Sequence, residues 1–570
     1  MNGGVIVSNT AAIDGGGVYV DRGSLLLSDG QILSNTTTFI SGRGGGLYIA
    51  QSSAVYTQTG ESMIGFNKAS QGAGLYIEEG RASLSGGQLI SNTASNDGGG
   101  VYVDQGELVL SNGQIISNTT AFLGRGGGVY LSQSMAVYTQ TGASMIGFNK
   151  AHQGGGLYIE QGRASLSGGQ IISNTSKNFG SGGGLYIDQG RVTFSEGEIL
   201  GNTTVRAGGG VFIQQITGTF TQTGNSTINN NDAFWGGGLF VNNGVAILSG
   251  GQILGNSATT SGGGVNVASG SVLLNGVQIL ENIASEGGGV YILEGQATLS
   301  SGQILSNSAL FSGGGIYIRY PQAAFTQTNH TTIGYNTGVE GGGVYIDEGR
   351  AALNGGGILG NVANSDGGGI YLGSGNIILN NLGIISNTAV FSGGGLYNYS
   401  GTLTLINSTV SGNDTGGNGG GLLNEFGTSV LTYTTIATNT ASGGGADIHI
   451  ISGTVRVQNS LLTANGTINC GGTGLSSLGH NLEDGDSCGL NASGDLTNTV
   501  SLLGSLTEAY GTWFHTLLKG SPAIDAGVSI PGISVDQLGA NRPQGLGCDM
   551  GAYEVPFAPL FLPVVIKEVP

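Results

Sequence analysis

The sequence is poor in charge, proline and cysteine. Only 9% of its 570 residues are charged, against about a quarter in an ordinary globular domain. The balance is acidic, −18, with no basic cluster, which argues against nucleic acid as a partner. The three cysteines, all at or after position 470, form no CxxC pair, so a zinc or thioredoxin-like site is unsupported. No GxSxG, HExxH or Walker-type GK[ST] is present, and the five histidines are dispersed, so no transition-metal site is proposed. Long apolar runs are missing too. Pro556 to Ile566 is the one sustained stretch near an end, and eleven residues with three prolines cannot span a bilayer. Met1 to Ala12 lacks the basic and apolar regions of a signal peptide, and the chain opens inside a repeat. A leader and a capping segment are therefore expected before Met1. As written, the first rung should present an open strand edge that favours self-association.

What is abundant is glycine, 115 residues. Seventeen triplets, one of them Gly72-Ala73-Gly74, begin between positions 15 and 443 at steps of 24 to 29 residues. That period fits one coil of a parallel β-helix and is too short for helical-pair repeats. One unit reads Gly98-Gly99-Gly100-Val-Tyr-Val-Asp, Glu107-Leu-Val-Leu-Ser, Gly113-Gln-Ile-Ile-Ser-Asn118. Alternation turns Val101 and Val103 inward in the first strand, and Leu108 and Leu110 in the second. Ile115-Ile116 leaves the parity of the third strand open. An Asn closes most units, Asn92 and Asn118 among them, and stacked amides at the strand spacing of about 4.8 Å form a hydrogen-bonded ladder at a turn where Asn tolerates left-handed geometry. Tyr56-Thr-Gln-Thr, Tyr138-Thr-Gln-Thr and Phe220-Thr-Gln-Thr recur every 82 residues, three rungs, a sign of duplication.

The expected fold is all-β: a right-handed, single-stranded parallel β-helix of the pectin-lyase-like type, with about seventeen rungs over 1–468, about 80 Å long at the strand spacing. A small C-terminal cap domain follows over 469–555, then an apolar, proline-bearing tail over 556–570.

Two columns carry candidate chemistry. Tyr76, Tyr102, Tyr130, Tyr158, Tyr186, Phe212 and Phe240 each follow their triplet by two positions, as do rings before and after them; Asn266 interrupts the series. With Val and Ile inward, these rings form an external stripe, read either as a stiffening ladder or as a surface for glycan or a partner. The second column, Glu78, Asp104, Glu160 and Asp188, holds the seventh position of its rungs. Glu78 over Asp104, and Glu160 over Asp188, could share a calcium ion; alternatively Arg22, Arg81, Arg163, Arg191 and Arg350 neutralise the column. Glu483, Asp484 and Asp486 make a further acidic loop that reads as solvated.

The Gly-Gly-rich and Ile-x-x-Asn motifs, as in Ile115-Ile-Ser-Asn118, resemble the repeats of chlamydial polymorphic outer-membrane proteins, with Ile where that family has Phe. The resemblance implies an adhesin-like architecture without autotransport. Leu517 to Glu554 resembles the choice-of-anchor Q domain of secreted bacterial β-helix proteins, through Gly520-Ser-Pro-Ala-Ile-Asp-Ala-Gly527, Val535-Asp-Gln-Leu-Gly539, Arg542-Pro543 and Cys548-Asp-Met-Gly-Ala-Tyr-Glu554. Family members often carry another Cys where this chain has Ile533-Ser534. Cys548 then lacks its partner, and a Cys470–Cys488 disulfide is expected, closing a loop worth about 3 kcal/mol. The catalytic signature of pectin hydrolases is missing: no Asp-Asp pair, Gly-His-Gly or Arg-Ile-Lys is found. The function expected is that of a non-enzymatic extracellular or cell-surface protein with an adhesive or glycan-binding role and no required cofactor. The rival is a carbohydrate-active β-helix enzyme with an unrecognised site.

Overall fold

The computed structural model describes residues 1–464 and 468–556, so nearly all of the apolar tail lies outside the described residues. Among these every regular element is a strand. The chain holds about 18 turns of parallel β-solenoid. It divides into two compact units, Met1–Ala352 with Leu359–Asn376, and Leu353–Ile358 with Ile377–Pro570.

In the first unit one turn consists of Val101–Val103, Glu107–Leu110, Gln114–Ile116 and Thr119–Thr120. Each strand pairs in parallel with its counterparts one turn away: Tyr102 with Tyr76 and Tyr130, Ile115 with Leu89 and Ile146. The fourth strand, only two residues long, has no periodic signature. Val101, Val103, Leu108, Leu110 and Ile115 are fully buried, which settles the third strand: Ile115 points in and Ile116 out. Burying side chains of this size contributes about 1.5–3 kcal/mol each.

The triplet has two physical causes. Gly98 lies in the left-handed region at φ 68°. Gly99 and Gly100 face the next turn so closely that a Cβ on either would stand 2.5 or 2.6 Å from a glycine carbonyl. The triplet at 443 is out of register: Gly445 occupies the left-handed position, three residues before Ile448, which pairs with Leu422.

In the first unit the asparagine ladder runs unbroken from Asn9 to Asn361. Asn118 donates through Nδ2 to Asn149 Oδ1 and to Leu89 O, both at 3.0 Å, while its Oδ1 accepts from the backbone N and Nδ2 of Asn92. Asn387, Asn413 and Asn439 continue the pattern in the second unit. The left-handed residue is the one before each Asn, for instance Ser117 at φ 57° or Gly255 at φ 63°. The Asn itself is then aimed inward, where every amide group finds a partner.

The 82-residue repeat carries a natural deletion. Tyr56 donates its hydroxyl to Gln58 Oε1 at 3.0 Å, and Tyr138 does the same to Gln140 at 2.9 Å, all inside the coil. At the third copy Phe220 has no hydroxyl, and the buried Gln222 Oε1 has no partner. Phe220→Tyr is expected to stabilise the first unit by about 1 kcal/mol, read as a later midpoint of urea unfolding. An earlier midpoint would show that the interior lacks room for the oxygen.

In the second unit the coil runs on past residue 468. Cys470–Gly472, Leu475–Ser477 and Leu482–Glu483 pair in parallel with the preceding turn, and Cys470 is joined to Cys488. The chain then forms an antiparallel hairpin, Leu503–Ala509 with Thr512–Leu517. Residues after it lie along the flank of these turns: Asn407 donates to Val535 O, Asn459 to Val528 O, and Gly551 N to Asn459 O. The motifs quoted for the terminal domain build this contact. Arg542 and Glu554 form a wholly buried ion pair at 2.8 Å, and Arg542 covers the Tyr433 ring at 4.1 Å. Asp536 accepts the backbone N–H groups of Leu538, Ala540 and Glu554. Cys548 is buried and unbridged.

Candidate functional site

The aromatic column lies outside the coil, on the face opposite Val101 and Val103, yet its rings are not exposed. Tyr130 is 1% and Tyr158 4% accessible, and Tyr76, Tyr102, Tyr186 and Phe212 are also buried; Phe240 is half-buried. The reason is stacking. Successive rings from Tyr48 to Phe240 lie 4.7–5.3 Å apart, so each covers its neighbour's faces and offers only an edge outward. The expected apolar stripe is thus a ladder of ring edges. Burial pushes the Tyr102 and Tyr158 hydroxyls up to about 12.

Two rims flank this floor, the residue immediately before each triplet on one side and the seventh position on the other. In the first two copies of the 82-residue repeat an arginine crosses between them. Arg43 lies over the rings of Tyr48 and Tyr76 and pairs with Asp14 at 2.9 Å and Glu78 at 3.1 Å. Arg125 lies over Tyr130 and Tyr158 and pairs with Asp97 at 3.0 Å and Glu160 at 3.5 Å. Tyr48 donates to Glu78 at 2.7 Å, and Tyr130 donates to Glu160. Each clamp closes its stretch of the column.

The third copy lacks the clamp altogether. The positions of Asp97, Arg125, Tyr130 and Glu160 are taken by Ser181, Ala207, Phe212 and Asn242. A groove of about 460 Å³ opens there over Tyr158, Tyr186, Phe212 and Phe240. Gln153, Ser181 and Trp235 line one rim; Asp188, Gln214 and Asn242 line the other. Past Trp235 and Phe240 it runs into a recess of about 290 Å³ at Asn266.

The side chains of the carboxylate column turn to different partners. Glu78 turns back to Arg43 and Tyr48, whereas Asp104 turns forward to Gln133 at 3.1 Å. Glu160 turns back to Arg125 in the same way. Burial, then the charge of Glu160, pushes Asp188 upward, while Arg125 and a bond from Gln215 oppose this. Among the described residues no group of three or more His, Cys, Asp or Glu could hold a metal ion. Arg22 pairs as expected with Asp21, the seventh-position residue of the first rung, at 3.9 Å, whereas Arg81 pairs instead with Glu107 at 3.2 Å. In the terminal region Glu483 is buried rather than solvated, accepting from Ser487 and Cys488.

Arg43, Arg125, Trp235 and the amides of the rims were not singled out from sequence. Their signal is positional: the residue before the triplet reads Asp, Arg, Gln, Asp, Arg, Gln, Ser, Ala, Trp from position 14 to 235. Comparison of the chain with family models, curated proteins and solved structures returned no match in any of the three.

Proposed function

We propose that this chain is a non-catalytic binding protein of the cell surface or extracellular space, whose open groove engages a neutral polysaccharide in an adhesive role. The observation that carries the reading is the loss of the whole clamp at one place, which turns a closed ladder into a groove floored by ring edges and rimmed mainly by Gln, Ser and Asn, with one charge of each sign, Arg206 and Asp188, at its edges. Neutral amides and hydroxyls beside aromatic edges match a ligand that is apolar on its C–H surfaces and hydroxylated at its rim. Repetition of the floor at about 4.8 Å offers successive weak contacts that add by avidity. The Cys470–Cys488 disulfide favours an oxidising compartment, hence export. The motifs of Leu517 to Glu554 supply the support for surface attachment.

The rival reading, hydrolysis, asks for two carboxyl groups about 5–9.5 Å apart across one bond. Within the groove the carboxylates are Asp188 and Glu286, on opposite rims and four rungs apart, about 19 Å at the strand spacing. An array of neutral polysaccharides scored for both retention and reducing-end release distinguishes the two. Retention without release is expected; release of reducing ends by the pure protein would overturn the proposal.

A further inference from the structure

One rung of the aromatic column carries no ring. Asn266 stands between Phe240 and Tyr291, pairing with both in the sheet. Its amide is folded back on the rim, donating to Ser261 O at 3.1 Å and Ser261 Oγ at 2.9 Å. Phe240 stacks on Phe212 at 5.3 Å on one side only, and Tyr291 on Tyr317 at 5.1 Å on the side away from Asn266. Two rungs separate Phe240 from Tyr291, about 10 Å. That is the spacing at which one further six-membered ring, about 5 Å from each face, completes the stack. The recess of about 290 Å³ at this place is lined by both rings.

We propose that this gap is a binding slot for a single neutral pyranose ring, sandwiched between Phe240 and Tyr291. The slot is a subsite of the groove assigned above and rests on that reading for its place in a larger ligand. Its walls match a sugar in three respects. The rings, with Trp235 and Leu293 beside them, meet the two C–H faces. Asn266, Glu286 and Arg319 supply donors and acceptors at the edge, where the hydroxyls lie. Glu286 and Arg319 stand 3.9 Å apart and balance each other, so the site favours a neutral ligand over an ion of either sign.

Geometry also selects which sugar of a chain can enter. The rings of the column stack along the coil axis, so a sandwiched pyranose lies across the groove with its edge toward solvent. Equatorial linkages lie in the plane of the ring and would run into the rims on one side. A terminal or branching residue, joined to the rest of the glycan through its outward edge alone, meets no such obstacle.

The test uses the full chain and five probes, the methyl glycosides of glucose, galactose, mannose and N-acetylglucosamine and, as a non-sugar, N-acetylphenylalaninamide, titrated with saturation-transfer NMR. The expected result is saturable binding of at least one glycoside, weakened at least tenfold in Asn266→Tyr, which fills the gap with a ring. That variant extends the existing stack, and its unfolding midpoint should not fall. The exposed-site variant Arg81→Ala, about seven rungs away and outside the groove, should leave glycoside binding unchanged. No binding of any probe by the parent, or equal binding by Asn266→Tyr, would overturn the slot, and so would binding of N-acetylphenylalaninamide in place of every glycoside. Glycoside binding without retention on any polysaccharide would overturn the groove and leave the slot standing.

Discussion

Gly127→Ala is expected to lower the stability of the first unit by more than about 3 kcal/mol, at the upper end of overpacking effects. The new methyl would stand 2.5 Å from Gly155 O and 2.8 Å from the backbone of Lys150. Neither can retreat. Gly127 N donates to Gly154 O at 3.1 Å and Gly127 O accepts from Gly100 N at 3.0 Å, so the strand is held from both sides. Relief would have to propagate through the neighbouring turns. Gly4→Ala is the control, because its Cβ would meet only the Met1 side chain, at 3.5 Å. The chain holds two tryptophans, Trp235 in the first unit and Trp513 in the second. Guanidinium unfolding followed at Trp235 in a Trp513→Phe background measures the difference. A midpoint within error of the control would show that close approach is not why the triplet is glycine.

Glu554→Gln is expected to cost the second unit about 3–5 kcal/mol, the usual penalty for stranding one member of a buried ion pair. Arg542 and Glu554 are both fully inaccessible. Glu554 also accepts the backbone N–H groups of Gln544 and Asp549, and Arg542 donates to Asp549 O and Gly551 O. Loss of the carboxylate therefore leaves a buried guanidinium charge beside the Tyr433 ring and loosens the segment that seats Gly551 on the coil. Replacing both, Arg542→Met with Glu554→Gln, should cost less than the sum of the single changes, since no charge is then left unpaired. Unfolding followed at Trp513 in a Trp235→Phe background reports this unit. Additive losses would show that the two side chains act independently.

The coil was legible because its causes repeat. Gly, Val-x-Val and Asn recur at every turn, and each recurrence restates the same requirement of close approach, inward packing or amide stacking. The two-residue strand at Thr119–Thr120 was not legible, because two residues carry no period. The aromatic column was legible in register but not in exposure. Strand alternation places Tyr102 outside the coil, and only the stacking distance of 4.8 Å to its neighbours shows that outside is not the same as accessible. Arg43 and Arg125 escaped notice for a related reason. Each joins a residue before one triplet to a seventh position 35 residues later, and that pairing is visible only once both rims are known to flank one floor. The groove is harder still to read, since it is defined by what the third copy has lost: Ser181, Ala207, Phe212 and Asn242 are unremarkable until set against the clamp they replace.

The most direct test of the account rebuilds that clamp. Ser181→Asp, Ala207→Arg and Asn242→Glu together copy Asp97, Arg125 and Glu160 into the open stretch, where the arginine would lie over the rings and bridge the rims as Arg125 does. Isothermal titration of the parent and this variant with the polysaccharide retained most strongly on the array should give at least a tenfold weaker Kd for the variant, with the unfolding midpoint unchanged or raised. Equal affinity in the two proteins would contradict the groove as the binding site.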